Sequence, residues 1–143
     1  MRLFLAIRFS PEVRRALLDA CASLRRQGVS GNFTRPENLH LTLAFLGETE
    51  ASDQAEAALE EACAGSAPFP LTVEGGGRFG DLLWAGVRRD PALTALSARL
   101  DAALRARGFP LEDRPFRPHV KHLRRAVCDR PPVWALPPVT MTA

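Results

Sequence analysis

Three histidines stand in a chain of 143 residues, and two of them share comparable surroundings. His40 lies in NLHLTLAFLG and His119 in FRPHVKHLRR. Period-two alternation places His40 and Thr42 on one face of a strand, with Leu39, Leu41 and Leu43 on the other. The same rule groups His119 with Lys121, and Val120 with His122 on the opposite face. The leucines pack inward, so His40 and His119 point into a cleft. Two opposed imidazoles suit cleavage of a phosphoester by acid–base catalysis. One activates the attacking oxygen while the other protonates the leaving oxygen, and both titrate near neutral pH. The Thr42 hydroxyl and the Lys121 ammonium, two residues along, can bind the non-bridging oxygens. A zinc site fits less well, because no third protein ligand accompanies the two histidines. No metal and no cofactor are expected.

The elements that must position these residues occur twice. LFLAIRFSPEVRRALLDACASLRRQG near the start is answered eighty residues later by LLWAGVRRDPALTALSARLDAALRARG. At that offset Arg8 matches Arg88, Pro11 matches Pro91, and Gly28 matches Gly108. One residue less aligns Pro36 with Pro115 and His40 with His119. Each half reads as strand, helix, then a histidine-bearing strand. Residues 2–8 and 82–88 have strand character. Ser10-Pro11 and Asp90-Pro91 each supply an N-cap followed by proline at the first helical position. Val13, Ala16, Leu17, Ala20 and Leu24 then recur at helical spacing, as do Leu93, Leu96, Leu100 and Leu104. Gly28 and Gly108 are natural stops. A further helix is expected over about 52–64, its acids forming a solvated face. The pattern predicts an α+β fold of two pseudo-twofold lobes, about 1–71 and 72–143, within one domain of residues 1–143. Antiparallel-rich sheets would lie beneath outer helices, with a central groove between His40 and His119.

Apolar residues make up 46% and charged residues 24%, values ordinary for a folded globular chain. No apolar stretch reaches the ~20 residues that span a bilayer, and Arg8 interrupts the N-terminal run. A cytoplasmic protein without membrane contact is expected. Cys21, Cys63 and Cys128 offer neither an even count nor a C-x-x-C pair, and read as buried free thiols. Residues 1–71 carry seven Arg against nine acids, and residues 72–143 carry twelve Lys+Arg against seven. The second half is therefore the side expected to meet an anion. Arg114, Arg117, Arg124 and Arg125 flank its histidine, and Phe79 could stack on a base. GGGRFG at 75–80 lacks a Walker ending and reads as a connection between strands. Trp84 and Trp134 read as core.

HLTL at 40–43 and RPH at 117–119, with LFLAIRFSPEV and GRFGDLLWAGV, resemble the bacterial RNA 2′,3′-cyclic phosphodiesterases. These two-histidine phosphoesterases, historically called 2′-5′ RNA ligases, carry an H-x-[ST]-x motif in each lobe. The resemblance extends over nearly the whole chain. It implies metal-independent opening of a 2′,3′-cyclic phosphate at an RNA end to a 2′-phosphomonoester. It further implies His40 as general acid on the 3′ oxygen and His119 as the base that activates water. The near-symmetry of the motifs leaves those two assignments exchangeable. Thr42 and Lys121 would bind the substrate phosphate, with Arg117 and Phe79 touching RNA. Departures stand out in the second motif and at the end of the chain. Lys121 replaces the second hydroxyl and His122 replaces an apolar residue. The family also continues with C-terminal strand structure beyond VTMTA, so an exposed edge is expected here. The partner would be RNA or a nucleotide with a cyclic phosphate, met by a monomer or by a dimer joined at strand edges. An RNA-end binding protein with weakened catalysis and a reversible 2′-5′ ligase are the alternatives.

Overall fold

A computed structural model describes residues 1–143. Strand β1 (Arg2–Arg8) leads into helix α1 (Pro11–Arg26), followed by β2 (Ser30–Phe33) and a short turn of 3-10 helix at Pro36–Asn38. Next come β3 (His40–Glu48), α2 (Ser52–Cys63), β4 (Pro70–Phe79) and β5 (Leu82–Val87). Helix α3 (Pro91–Ala106), β6 (His119–Val127) and β7 (Val139–Thr142) complete the order. The fold is mixed α+β, and every strand pairing is antiparallel.

The two long helices begin as their sequences dictate. Ser10 Oγ accepts from the Val13 N–H at 3.3 Å, and Asp90 Oδ1 accepts from the Ala92 and Leu93 N–H groups. Each cap is followed by proline, whose missing N–H is no loss in the first turn. Gly28 and Gly108 both take φ +85°, the left-handed conformation that ends a helix and that a side chain disfavours.

The repeat survives in the pairing. In the first half β1 runs antiparallel to β3, which bears His40; in the second, β5 runs antiparallel to β6, which bears His119. The lobes are unequal, however. β1 and β3 form a two-stranded sheet, whereas the other sheet has five strands in the order β2-β6-β5-β4-β7. β2 thus leaves its own half to pair with β6. One apolar cluster binds the halves together. It joins Val13, Leu17 and Ala20 of α1 with Leu39 just before β3, Leu41 of β3, Leu93 and Leu100 of α3, and Val120 of β6. Helices α2 and α3 pack together, with Ala55, Ala58 and Ala62 of α2 buried and small enough to allow close approach.

Three expectations are corrected. Residues 75–79 of GGGRFG are not a connection; they belong to β4, and only Gly80 and Asp81 turn the chain into β5. The glycines serve packing: a Cβ on Gly76 would collide with the Trp134 indole, and one on Gly77 with Trp84. The tryptophans are half-buried over those glycines rather than fully interior, and Trp134, in an irregular segment, packs against the smaller apolar cluster. Of the thiols only Cys21 is buried; Cys63 is exposed and Cys128 intermediate. Cys63 occupies the last turn of α2, outside the buried alanine stripe.

Candidate active site

Both histidines open their strands. His40 is the first residue of β3, released from the Pro36–Asn38 turn, and His119 is the first of β6, after the irregular segment that follows α3. Strands β3 and β6 lie in contact although they belong to different sheets. Burial follows the predicted alternation. Leu39 and Leu41 are buried while His40 is half-buried and Thr42 exposed; Val120 and His122 are buried while Lys121 is exposed.

The imidazoles sit in different environments. His119 Nδ1 lies 2.7 Å from the Arg117 carbonyl oxygen, which can only accept, so Nδ1 carries the proton. This leaves Nε2 as the nitrogen free to exchange a proton with a substrate or water. The ring also packs edge-on to Phe79 and Trp84, with centroids 5.7 and 6.1 Å away. His40 instead stacks on Phe4, with centroids 4.7 Å apart and planes at 19°. Burial, and after it the positive charge of Lys121, holds His40 below the ordinary imidazole range. Lys121 is itself held below the usual ammonium value, first by partial burial and then by the Arg124 charge. The Lys121 charge thus acts on His40 and the Arg124 charge on Lys121, while His119 packs against Phe79.

Arg124 owes its place to a β-bulge. Leu83 pairs with Leu123, yet the next residue, Trp84, pairs with Lys121, so His122 is an extra residue in β6. His122 and Leu123 are therefore both buried, and Arg124 returns to the exposed face. Simple alternation would have turned Arg124 away from His119. Arg114 pairs with Glu112 at 2.7 Å, and Arg125 adopts φ 53° beyond the bulge. Arg117 is exposed and contributes its carbonyl to His119.

His122 is fully buried, with Nδ1 3.1 Å from the Cys21 Sγ and no partner for Nε2. Burial lowers its pKa to about 4 and raises that of Cys21 to about 11, so both are neutral at pH 7. Phe4 and Trp84 went unread as site residues. Phe4 could have been found, since alternation groups it with Arg2 and Arg8 rather than with Leu3, Leu5 and Ile7. No group of three or more His, Cys, Asp or Glu side chains is arranged to hold a metal ion.

Two histidines that head contacting strands, in a mixed α+β frame with a repeated order of strand, helix and histidine strand, make up the candidate site. The model of the 2′-5′ RNA ligase superfamily matches residues 9–121, and the chain belongs to that family. It is 34% identical over 128 residues to the RNA 2′,3′-cyclic phosphodiesterase of Thermotoga maritima, covering 84% of this chain and 67% of that one. Its identity to the Escherichia coli enzyme of that name is 33% over 128 residues, covering 87% and 72%. The Geobacillus stearothermophilus relative is 33% identical over 133 residues, and the match spans 85% of this chain but 41% of the relative. Among solved structures, E. coli LigT complexed with 3′-AMP superposes with a TM-score of 0.79 at 29% identity, covering 99% of this chain and 82% of that one. The TT0787 protein of Thermus thermophilus gives 0.75 at 32% identity, covering 99% and 84%.

Proposed function

We propose that this chain hydrolyses RNA 2′,3′-cyclic phosphate ends to 2′-phosphomonoesters without a metal ion. The observation that carries the reading is the pair of strand-opening histidines on strands β3 and β6, which lie in contact across the two sheets. The family's curated members bearing the phosphodiesterase name support it. His119 Nε2, freed by the Nδ1–H bond to Arg117, takes a proton from water as the water oxygen attacks phosphorus. The bond between phosphorus and the 3′ oxygen breaks, and His40 supplies the proton that oxygen needs. The Thr42 hydroxyl donates to one non-bridging oxygen and the Lys121 ammonium to another. Phe79 stacks on the terminal base beside His119, and Arg117 reaches the adjoining phosphate. The protein acts as a cytoplasmic monomer, residues 1–143 forming one domain.

The test is incubation with a 2′,3′-cyclic nucleotide in EDTA, followed by identification of the phosphate position in the product. Conversion to the 2′-phosphate is expected. His40→Ala and His119→Ala should each lower turnover by ~10²-fold or more while retaining the fold, the usual scale for losing an acid or base. The second reading, an RNA-end binding protein with weakened turnover, draws on the Lys121 charge that disfavours protonated His40. Tight binding without conversion would select it.

A further inference from the structure

Beyond the histidines, one surface of the molecule has the chemistry of a nucleic-acid track. Partners in an antiparallel pair share a face. The β1–β3 register sets Arg2 opposite Glu48, Phe4 opposite Phe45, Ala6 opposite Thr42, and Arg8 opposite His40. Two irregularities, between Leu3 and Phe4 and between Leu5 and Ala6, each admit an extra β3 residue. Those residues, Leu46 and Leu43, pack against the core, which keeps the aromatic rings outward. Phe4 and Phe45 are 46% and 57% exposed, unusual for phenylalanine in a paired strand. The Arg2 guanidinium lies over the Phe45 ring, 5.5 Å from its centroid. Phe4 stacks on His40, so the row begins at the candidate site and runs away from it. Only at its far end do acids appear, where the Met1 amino group pairs with Glu48 and Glu50.

We propose that this face of β1 and β3 binds the nucleotides that precede the reacting end of a single-stranded RNA. The inference rests on the reading above, in which the terminal base lies on Phe79 beside His119 and the chain leaves past His40. Exposed rings stacked with a guanidinium accept any base face, and Arg2 and Arg8 meet the intervening phosphates. Such a track makes the protein prefer an RNA end over a free nucleotide. It does so without reading sequence.

The experiment compares equilibrium affinity for a short oligoadenylate ending in a 2′-phosphate with that for adenosine 2′-monophosphate. Phe45→Ala should weaken the oligonucleotide about tenfold, the scale of one lost base stack, and leave the mononucleotide within about twofold. Phe45→Trp should retain the oligonucleotide, and Arg2→Gln should flatten its salt dependence by about one unit of slope. Equal affinities of Phe45→Ala and the unchanged protein for the oligonucleotide would overturn the track. So would an equal loss on both ligands. Self-association abolished by Phe45→Ala, with RNA affinity unmoved, would assign the face to a second copy instead. Because binding is measured on product ends, the comparison stays readable even if turnover of adenosine 2′,3′-cyclic phosphate is absent, which would sink the hydrolase reading alone.

Discussion

Lys121 places a positive charge where the family pattern has a hydroxyl, and His40 feels it. Burial is the larger cause that holds His40 below its ordinary range, and the Lys121 charge adds to it. A general acid must be protonated, so activity that depends on His40 as acid falls as pH rises through this lowered value. Removing the charge raises the value. Lys121→Thr should therefore move the alkaline limb of the pH–rate profile upward and raise neutral turnover, with slightly weaker binding. An unmoved limb with lower turnover would mark Lys121 as an adapted phosphate ligand. His122 poses a separate question. Its folded pKa of about 4 lies below the ordinary 6.5, so between these values the unfolded chain binds the extra proton. Stability then rises with pH across that window and is lost as pH falls through it. At ~1.4 kcal/mol per unit the full loss is about 3 kcal/mol. Urea unfolding at several pH values should show this slope, and His122→Leu should reduce it.

At the scale of elements, the strands carry the site on surfaces pared down to glycine. Gly86 of β5 pairs with His119, and a Cβ there would drive into the backbone carbonyl of Glu74 in β4. Backbone cannot swing aside as a side chain can. Gly86→Ala should thus cost about 2 kcal/mol, a usual penalty for overpacking, and displace His119 enough to lower turnover. Gly76 makes the informative contrast. Its Cβ would meet the Trp134 indole, and Trp134 packs with Leu24, Val29 and Leu123 in the smaller apolar cluster. Gly76→Ala should lower the urea midpoint while leaving turnover near that of the parent. The bulge at His122 belongs to this scale too. Its extra residue returns Arg124 to the face that carries His119 and Lys121.

Considered whole, the molecule is electrostatically lopsided. Seven Arg and nine acids in residues 1–71 give −2, and twelve Lys+Arg with seven acids in residues 72–143 give +5. The excess does not lie idle in ion pairs on β6: Lys121 and Arg124 repel one another there. A phosphate bound between the two would relieve that repulsion and release counterions. RNA affinity should therefore fall as salt rises, log K declining linearly with log salt at a slope of a few units. Flat binding across that range would show that the basic half faces away from RNA.

How much of this was legible in the sequence depended on the range over which each feature is decided. Capping residues, prolines and terminal glycines act within a turn, so both long helices could be read with their ends. Period-two alternation is equally local, and it set His40 apart from Leu41, and Lys121 from His122. The doubled order of strand, helix and histidine strand made the two motifs equivalent before any contact was known. What lies between strands was not legible. Gly76 and Gly77 resembled a loop because glycine permits turns. Only the indoles of Trp134 and Trp84, from other parts of the chain, reveal that their missing side chains make room. The passage of β2 into the other sheet, the stack of Phe4 on His40 and the bulge that redirects Arg124 depend on pairing register. Register is chosen by partner strands and by the core they must share, and a one-residue slip reverses every face beyond it. The chain alone therefore marked the candidate residues for the chemistry and determined the elements that hold them, while tertiary pairing decided which other side chains surround them.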